Sequence, residues 1–259
     1  MTSSSPPFAS AALVGVGLVG GSFVLDLRRA GQLGHVLGYD IRPEHGRVAK
    51  ERGIVDEAFS TWNARLAEVD LLIVAVPVGS FSKVMEGMLP FLSKKVLITD
   101  VGSVKTPIVD WMSQASYNHF SFVPGHPIAG GETFGPESAR FSRFEGKKCI
   151  LTPAKDQNPQ DLQSIQQLWE SVGATVHFMD PQIHDHIFSE VSHLPHLLAF
   201  SCIQTYETSH ESLKYFGAGL KDFSRFASSS AIMWSDIFIE NKVALLQTLE
   251  QFQKRFSDL

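Results

Sequence analysis

Three polar residues carry the chemistry expected of an acid–base site that handles an anionic molecule. His126 stands between a glycine and a proline, and its imidazole titrates near neutral pH, as a general base requires. Ser103 can orient a catalytic group or a substrate hydroxyl, although taken alone it is better explained as a cap of the next helix. Arg225 can form two parallel hydrogen bonds to a carboxylate, while composition alone favours a surface ion pair. His126 is therefore the strongest catalytic candidate.

Several histidines cluster late in the chain, and their number raises the question of a metal site. His193 and His196 have i, i+3 spacing, near the adjacent group His184, Asp185 and His186, but there is no H-E-x-x-H sequence. A zinc site needs three well-placed protein ligands, and these residues do not supply a compelling set. We predict no metal and expect substrate-facing imidazoles instead.

The glycines near the start of the chain have the spacing of a phosphate-binding turn. Gly15, Gly17 and Gly20 form G-x-G-x-x-G after the apolar run Ala11–Val14 and before a predicted helix. In this context the first glycine permits a tight turn, the second lets the backbone approach a pyrophosphate, and the third allows close packing of helix on strand. The N–H groups at the helix start then face the phosphates, so the motif predicts a bound dinucleotide.

Asp40 indicates which dinucleotide is bound. It ends the second predicted strand, where a carboxylate can accept hydrogen bonds from a ribose diol. The same charge repels a 2′-phosphate, an effect that Arg42 offsets only in part, so we predict NAD rather than NADP. The predicted cofactor-binding residues are Gly15, Gly17, Leu18, Val19, Gly20, Asp40, Val76 and Pro77.

The composition is that of an ordinary globular protein. The chain has 259 residues, of which 44% are hydrophobic, and a net charge of −5 that argues against nucleic-acid binding through broad phosphate neutralisation. Cys149 and Cys202 have no C-x-x-C spacing and are expected to be buried thiols of a reducing compartment. Residues 1–10 contain no Lys or Arg, and the apolar run 11–25 is too short to span a bilayer, so we predict a cytoplasmic protein.

Strand and helix patterns alternate through the first two thirds of the chain. The apolar run Asp70–Val76 is typical of a central parallel strand, and Pro77 follows it at the edge of the sheet where ligands bind. Asp100–Lys105 follows the next strand at the same edge, and Pro124–Pro127 is expected to be a loop. The alternation predicts a Rossmann-type, doubly wound α/β domain over residues 1–180.

From residue 181 the pattern becomes helical. His184–Thr208 has apolar residues at helical spacing, with a kink expected at Pro195. Ser228–Ser230 offer N-caps for one last helix that reaches about Phe256. Because two or three such helices cannot bury their apolar surface alone, we predict an all-α dimerisation domain over residues 181–259 and a homodimer.

Segments in both predicted domains resemble one family, the prephenate and arogenate dehydrogenases of tyrosine biosynthesis. The segments that carry the resemblance are Gly15–Ser22, Asp100–Lys105, Gly125–Gly130, Ser192–His196, and Asp222–Arg225 with Ile232–Phe238. The resemblance implies a nucleotide-binding domain followed by a helical dimerisation domain. It also implies NAD-dependent oxidative decarboxylation of prephenate to 4-hydroxyphenylpyruvate.

The resemblance also implies roles for single residues. The catalytic base would be His126, supported by Ser103. The implied substrate-binding residues are Arg225 for the substrate carboxylate, the pocket histidines His196 and His193, and the supporting acid Glu132. Many relatives have a hydroxyl residue where Gly131 stands, so the pocket polarity beside the base is expected to differ here.

Three alternatives stay open at this point. Arogenate carries an amine in place of the side-chain keto group of prephenate, and Asp222 can pair with that amine or be structural. A β-hydroxyacid or imine reductase shares the two-domain plan, but it usually employs a lysine on the long helix, and residues 184–208 contain none. A non-catalytic NAD-binding sensor would not need a base, a serine and an arginine together.

Overall fold

The chain forms two compact units, Met1–Pro181 and Gln182–Leu259. The structure is a computed structural model and describes residues 5–115, 120–131, 133–206, 215 and 217–259. Within these residues, no helix combines the length and the apolar character needed to cross a bilayer. Each unit has an architecture of its own.

The first unit is built on a six-stranded parallel sheet. Its strands are β1 (Phe8–Val14), β2 (Leu33–Tyr39), β3 (Glu57–Phe59), β4 (Leu71–Val74), β5 (Val96–Asp100) and β6 (Phe120–Val123). Their order is β3-β2-β1-β4-β5-β6, so the direction of winding reverses between β1 and β4. This arrangement confirms the predicted doubly wound fold and places a ligand crevice at the carboxyl ends of these two strands.

Helices form the crossovers of this unit. They are α1 (Leu18–Arg29), α2 (Pro43–Glu51), α3 (Phe81–Met88), α4 (Thr106–Gln114) and α5 (Pro159–Ser171). The central strand β4 is buried along its whole length, which explains its uninterrupted apolar sequence. On the core side, the ring of Phe23 in α1 stacks on Trp169 in α5 with centroids 3.8 Å apart.

A second, three-stranded sheet follows the parallel sheet along the chain. It contains β7 (Gly125–Pro127), β8 (Lys148–Leu151) and β9 (Thr175–Phe178), in the order β7-β8-β9. The prediction of a loop at Pro124–Pro127 was wrong in part, because β7 pairs antiparallel with β8 and places His126 opposite Ile150. The pairing is long-range, and the local glycine and prolines give no sign of it.

The second unit is all-helical, as predicted. Its helices are α6 (Pro181–Phe188), α7 (Leu194–Tyr206), α8 (Ala218–Ala227), α9 (Ala231–Glu240) and α10 (Lys242–Ser257). Ser230 caps α9 as expected, since its hydroxyl accepts a hydrogen bond from the Met233 N–H at 3.3 Å. The prediction of a single last helix was wrong, because α9 ends before Asn241 and α10 begins after it.

A π-helical turn, Ser189–His193, joins α6 to α7. Pro195 has no N–H with which to continue the regular hydrogen-bond ladder. The preceding N–H, that of Leu194, instead donates to the carbonyl of Ser189, five residues earlier. Such wide turns recur at functional sites, and this one carries Ser192 and His193.

Candidate functional site

The glycine turn has the stereochemistry that a dinucleotide-binding loop requires. Gly15 has φ +86°, and a β-carbon there would lie 2.5 Å from the carbonyl oxygen of Ala75. A β-carbon on Gly20 would lie 2.6 Å from the Ala75 methyl group, so only glycine allows this packing of α1 on the sheet. A β-carbon on Gly17 would meet no atom within 4 Å, which leaves that side of the backbone open to a ligand.

The start of α1 is electrostatically prepared for an anion. Its N-cap is Gly17, whose lack of a side chain leaves the first turn without a side-chain cap, and the turn contains no acidic residue. The N–H groups of Leu18 and Val19 have no acceptor within the helix. Together with the positive end of the helix dipole, they form a site suited to phosphate.

Asp40 lies beside this turn because β1 and β2 are neighbours. Its Oδ2 accepts a hydrogen bond from the Val16 N–H at 3.1 Å, and its Oδ1 accepts one from the Arg42 N–H at 3.0 Å. The ring of His45 is also close, with Nδ1 at 3.4 Å from Oδ1. These contacts orient the Asp40 carboxylate. Among the described residues, no Lys or Arg side chain forms an ion pair with it.

Val76 and Pro77 lie one residue beyond the end of β4, on the other side of the point where the winding reverses. The Val76 side chain lies against the glycine turn, since its Cγ1 would be 3.1 Å from a β-carbon on Gly15. Pro77 is exposed and begins a short 3₁₀ turn. The structure thus gathers the predicted cofactor residues at the carboxyl ends of β1, β2 and β4.

A buried ion pair lies between the two chain segments that contain the catalytic candidates Ser103 and His126. Lys105 Nζ lies 2.5 Å from Asp100 Oδ2, and the two side chains are 0% and 1% exposed. Asp100 also accepts hydrogen bonds from the N–H of Gly102 at 2.8 Å and of Gly125 at 3.1 Å. Lys105 donates a further hydrogen bond to the carbonyl of Gly125 at 2.8 Å. We name these four residues the Asp100–Lys105 clamp.

The clamp fixes the backbone on both sides of the candidate site. Ser103 lies between Gly102 and Lys105, in the turn that the clamp closes. His126 follows Gly125 directly, so its backbone position is set by the same pair. Ser103 is not the cap of α4, because Lys105 occupies the N-cap position without a side-chain hydrogen bond. Both candidate side chains are half-buried.

The surroundings of Cys149 do not favour nucleophilic chemistry. Cys149 on β8 is fully buried, as expected, and burial raises the pKa of its thiol far above the usual range. Cys202 is only half-buried, which differs from the expectation. Among the described residues, no group of three His, Cys, Asp or Glu side chains is arranged to hold a metal ion.

In the second unit, a chain of ring contacts links two predicted substrate residues. His196 stacks on Trp234 with centroids 3.7 Å apart and meets the edge of Phe226 at 5.1 Å. The guanidinium of Arg225 lies 4.8 Å from the centroid of the same Phe226 ring. Burial lowers the pKa of His196, and its Nδ1 donates to the Ser192 carbonyl at 2.9 Å. The neutral ring therefore presents Nε2 as an acceptor.

His193 has the opposite tautomer, and Asn241 determines it. The Asn241 amide nitrogen donates to the Asp185 carbonyl at 2.8 Å and faces His193 Nδ1 at 3.0 Å. Because an amide nitrogen only donates, Nδ1 accepts and the proton of the neutral ring is on Nε2. Burial lowers the pKa of His193 to about 4, so the ring stays neutral at physiological pH. Histidines 193 and 196 thus offer one donor and one acceptor.

The side chains of two predicted residues are not described by the structure, and two residues that contact the predicted site were not predicted. Glu132 falls in a gap of the described chain, and the Asp222 side chain is likewise not described. Asn241 and Trp234, which contact the predicted substrate residues His193 and His196, were not singled out from the sequence. An asparagine inside a predicted helix is a weak signal of a break, and Trp234 stood in a recognised motif without an assigned role.

Two family models cover almost the whole chain. The model described as "Prephenate dehydrogenase, nucleotide-binding domain" matches residues 23–178, and "Prephenate dehydrogenase, dimerization domain" matches residues 180–259. The chain belongs to the prephenate dehydrogenase family. Both parts of the family's architecture are therefore present in this member, in the order that the sequence predicted.

Individual relatives of this family member agree with the assignment. A prephenate dehydrogenase of Bacillus subtilis is 33% identical over 93% of the chain, which spans 66% of that protein. A cyclohexadienyl dehydrogenase of Zymomonas mobilis is 32% identical, with 95% and 85% covered. The crystal structure of prephenate dehydrogenase from Aquifex aeolicus, in complex with hydroxyphenyl propionate and NAD+, is 39% identical, with 96% and 88% covered and a TM-score of 0.89.

The clamp predicts a large difference between two lysines that both pair with aspartate. Lys105→Met leaves the Asp100 carboxylate buried without its cation. In a urea titration, this variant is expected to lose about 3–5 kcal/mol of its free energy of unfolding. Lys94 pairs with Asp70 at 2.6 Å, but both side chains are well exposed. The control variant Lys94→Met should therefore lose less than about 1 kcal/mol in the same urea titration. Equal losses for the two variants would contradict the structural importance of the clamp.

The lowered pKa of His193 predicts acid sensitivity of the second unit. The unfolded state takes up a proton near pH 6.5, whereas the folded state does so only near pH 4. Stability is therefore lost as the pH falls from 7 to 5, by roughly 1–2 kcal/mol from this ring. His193→Asn retains an acceptor for Asn241 but does not titrate. Urea unfolding at both pH values should show a smaller loss for this variant, and an identical loss would refute the assignment.

Proposed function

We propose that this chain catalyses the NAD+-dependent oxidative decarboxylation of prephenate to 4-hydroxyphenylpyruvate. The observation that carries the proposal is the position of His126 in a member of the prephenate dehydrogenase family. The Asp100–Lys105 clamp ties the residue before it to the turn that contains Ser103, just beyond the carboxyl end of β5. A base and a hydroxyl group are thereby held at the sheet edge where the dinucleotide site lies.

The residues around the glycine turn fit NAD+. The open side of Gly17 and the uncapped start of α1 suit the pyrophosphate, and the oriented carboxylate of Asp40 suits the ribose hydroxyls. The same carboxylate disfavours the 2′-phosphate of NADP+. The chemistry that bound NAD+ would supply is an acceptor for the hydride on the ring carbon that bears the substrate hydroxyl group.

The chain's own residues manage the proton and the orientation of the substrate. His126 takes the hydroxyl proton while the carbon becomes a ketone, with Ser103 supporting both groups. The bond between the ring and its carboxylate then breaks, its electron pair moves into the ring, and carbon dioxide leaves. The proton on His126 returns to the phenolate oxygen. The products are 4-hydroxyphenylpyruvate, carbon dioxide and NADH.

The second unit is proposed to bind the substrate. Arg225 would form paired hydrogen bonds with a carboxylate, and its position over the Phe226 ring supports an orientation of the guanidinium plane. His196 and His193 would supply the acceptor and the donor described above. Glu132 is retained as a proposed supporting acid on the basis of the family motif alone.

We further propose a homodimer formed through the second unit. The dimerization-domain match supports this, as do apolar side chains on α9 and α10 that are largely exposed within one chain, among them Ile232 at 80% and Val243 at 75%. A cytoplasmic location is proposed as well, because both cysteines are free thiols.

Arogenate is a second candidate substrate. A solved arogenate dehydrogenase from Synechocystis is 27% identical, with a TM-score of 0.80 and with 96% and 90% of the two chains covered. The cyclohexadienyl enzyme of Zymomonas also belongs among the relatives. The kcat/KM values for prephenate and arogenate, each with NAD+ and NADP+, will rank the four combinations. Turnover of neither substrate would refute the proposed function.

The proposed role of His126 predicts a defect in rate rather than in cofactor binding. His126→Asn removes the proton acceptor, so kcat should fall about 100- to 10,000-fold. The dissociation constant of NADH, measured by fluorescence titration, should stay the same because the glycine turn is untouched. An unchanged kcat would remove His126 from the mechanism.

The proposed role of Asp40 predicts a change in cofactor preference. Asp40→Ser removes the charge that repels the 2′-phosphate and leaves Arg42 to attract it. The ratio of kcat/KM for NADP+ to that for NAD+ should rise at least about tenfold, equivalent to about 1.4 kcal/mol. Steady-state kinetics with both cofactors measures this ratio, and a constant ratio would show that Asp40 does not select the cofactor.

A further inference from the structure

Arg143 is a buried cation that forms no ion pair with any residue in the described part of the chain. Its residue is 7% exposed, and its Nε has no hydrogen-bond partner among the residues that the structure describes. Within the same residues, none of the ion pairs involves its guanidinium. Burial, and to a lesser extent the nearby charge of Arg140, lowers its pKa. A guanidinium nevertheless stays protonated, so burying it without an anion is costly.

The guanidinium lies beside the start of α1. A β-carbon on Gly131 would be 2.6 Å from Arg143 Nη2 and 3.2 Å from Leu18 Cδ2, so these three residues meet at one point. Leu18 is the first residue of α1. The buried cation therefore lies near the side chain of the first residue of α1, a helix whose first N–H groups have no acceptor within the helix and whose dipole is positive at this end. Two neighbouring positive features of this kind favour the binding of an anion.

The backbone holds Arg143 in this position. The N–H of Arg140 donates to the Ser22 hydroxyl at 3.0 Å, and the N–H of Ser142 donates to Asp26 Oδ1 at 2.8 Å. Both acceptors are on α1, so the segment runs along the helix. Ser142 has φ +57°, a left-handed conformation that a serine rarely adopts. The placement of Arg143 is therefore specified by contacts outside its own side chain.

We propose that Arg143 binds the pyrophosphate of the dinucleotide at the start of α1. The phosphates would lie between the helix N–H groups and the guanidinium, which can donate two parallel hydrogen bonds to them. This inference rests on the dinucleotide part of the proposed function and does not depend on the identity of the substrate. It adds Arg143, a residue far from the glycine turn in the sequence, to the residues that bind the dinucleotide.

Gly131 provides an independent way to test the position of the guanidinium. A side chain at this residue would occupy space within 2.6 Å of Arg143 Nη2. Gly131→Ala should therefore displace the guanidinium without removing its charge. If the displaced group is the one that binds the cofactor, Gly131→Ala should weaken NADH binding in the wild type but have little further effect in Arg143→Met.

The central experiment compares NADH binding and substrate kinetics in one set of variants. Arg143→Met should raise the dissociation constants of NADH and of ADP-ribose by about 10- to 100-fold, and Arg143→Lys should recover part of the loss. The KM for prephenate at saturating NAD+ should stay the same. Arg140→Met is the matched control. Arg140 is exposed, and this substitution removes the same charge three residues away from Arg143.

Three other outcomes of these binding and kinetic measurements would overturn the inference. A raised KM for prephenate with unchanged NADH binding would assign Arg143 to a substrate carboxylate. An equal loss of NADH affinity in Arg140→Met would show a long-range charge effect, and unchanged NADH and ADP-ribose binding would leave Arg143 only structural. If the wild type binds NADH but does not convert prephenate or arogenate, the proposed reaction fails while the role of Arg143 can still be decided from NADH and ADP-ribose binding.

Discussion

The buried pair of Asp100 and Lys105 is the interaction on which the geometry of the first unit depends most. Strand β5 ends at Asp100, and the chain leaves β6, the last strand of the parallel sheet, at Val123 and enters the second sheet at Gly125. The pair binds both the N–H and the carbonyl of Gly125, so it joins the end of one sheet to the start of the other. A buried charge is tolerated here because each partner has several hydrogen bonds that compensate for lost hydration.

This arrangement also explains why a site can be both rigid and open. Ser103 and His126 do not belong to the clamp, and their side chains stay half-buried, but the backbone next to each of them is fixed by it. Catalytic groups need their positions held by surrounding hydrogen bonds. The clamp therefore supplies position without using the chemistry of the two candidates.

The parts of the fold that the sequence revealed are those determined by local patterns. The apolar run of β4, the spacing of the three glycines and the serine cap of α9 each depend on a few neighbouring residues. The strand β7 and the break at Asn241 involve distant partners instead: β7 pairs with β8, and the Asn241 side chain contacts Asp185 and His193. For the same reason the sequence suggested Ser103 as a helix cap and did not single out Arg143, whose meaning comes from its place beside Leu18.

The two units control charge in opposite ways at their proposed ligand sites. In the second unit, burial keeps both His193 and His196 neutral, and fixed hydrogen-bond partners select one donor and one acceptor. In the first unit, Arg143 remains positively charged although it is buried. The start of α1 is also positive, because no side chain caps its first N–H groups. Neutral rings can discriminate hydrogen-bonding patterns without attracting solvent ions, whereas a positive pocket selects for charge. A dinucleotide that neutralises the pocket would therefore stabilise the first unit when it binds, because ligand binding to the folded state alone shifts the folding equilibrium.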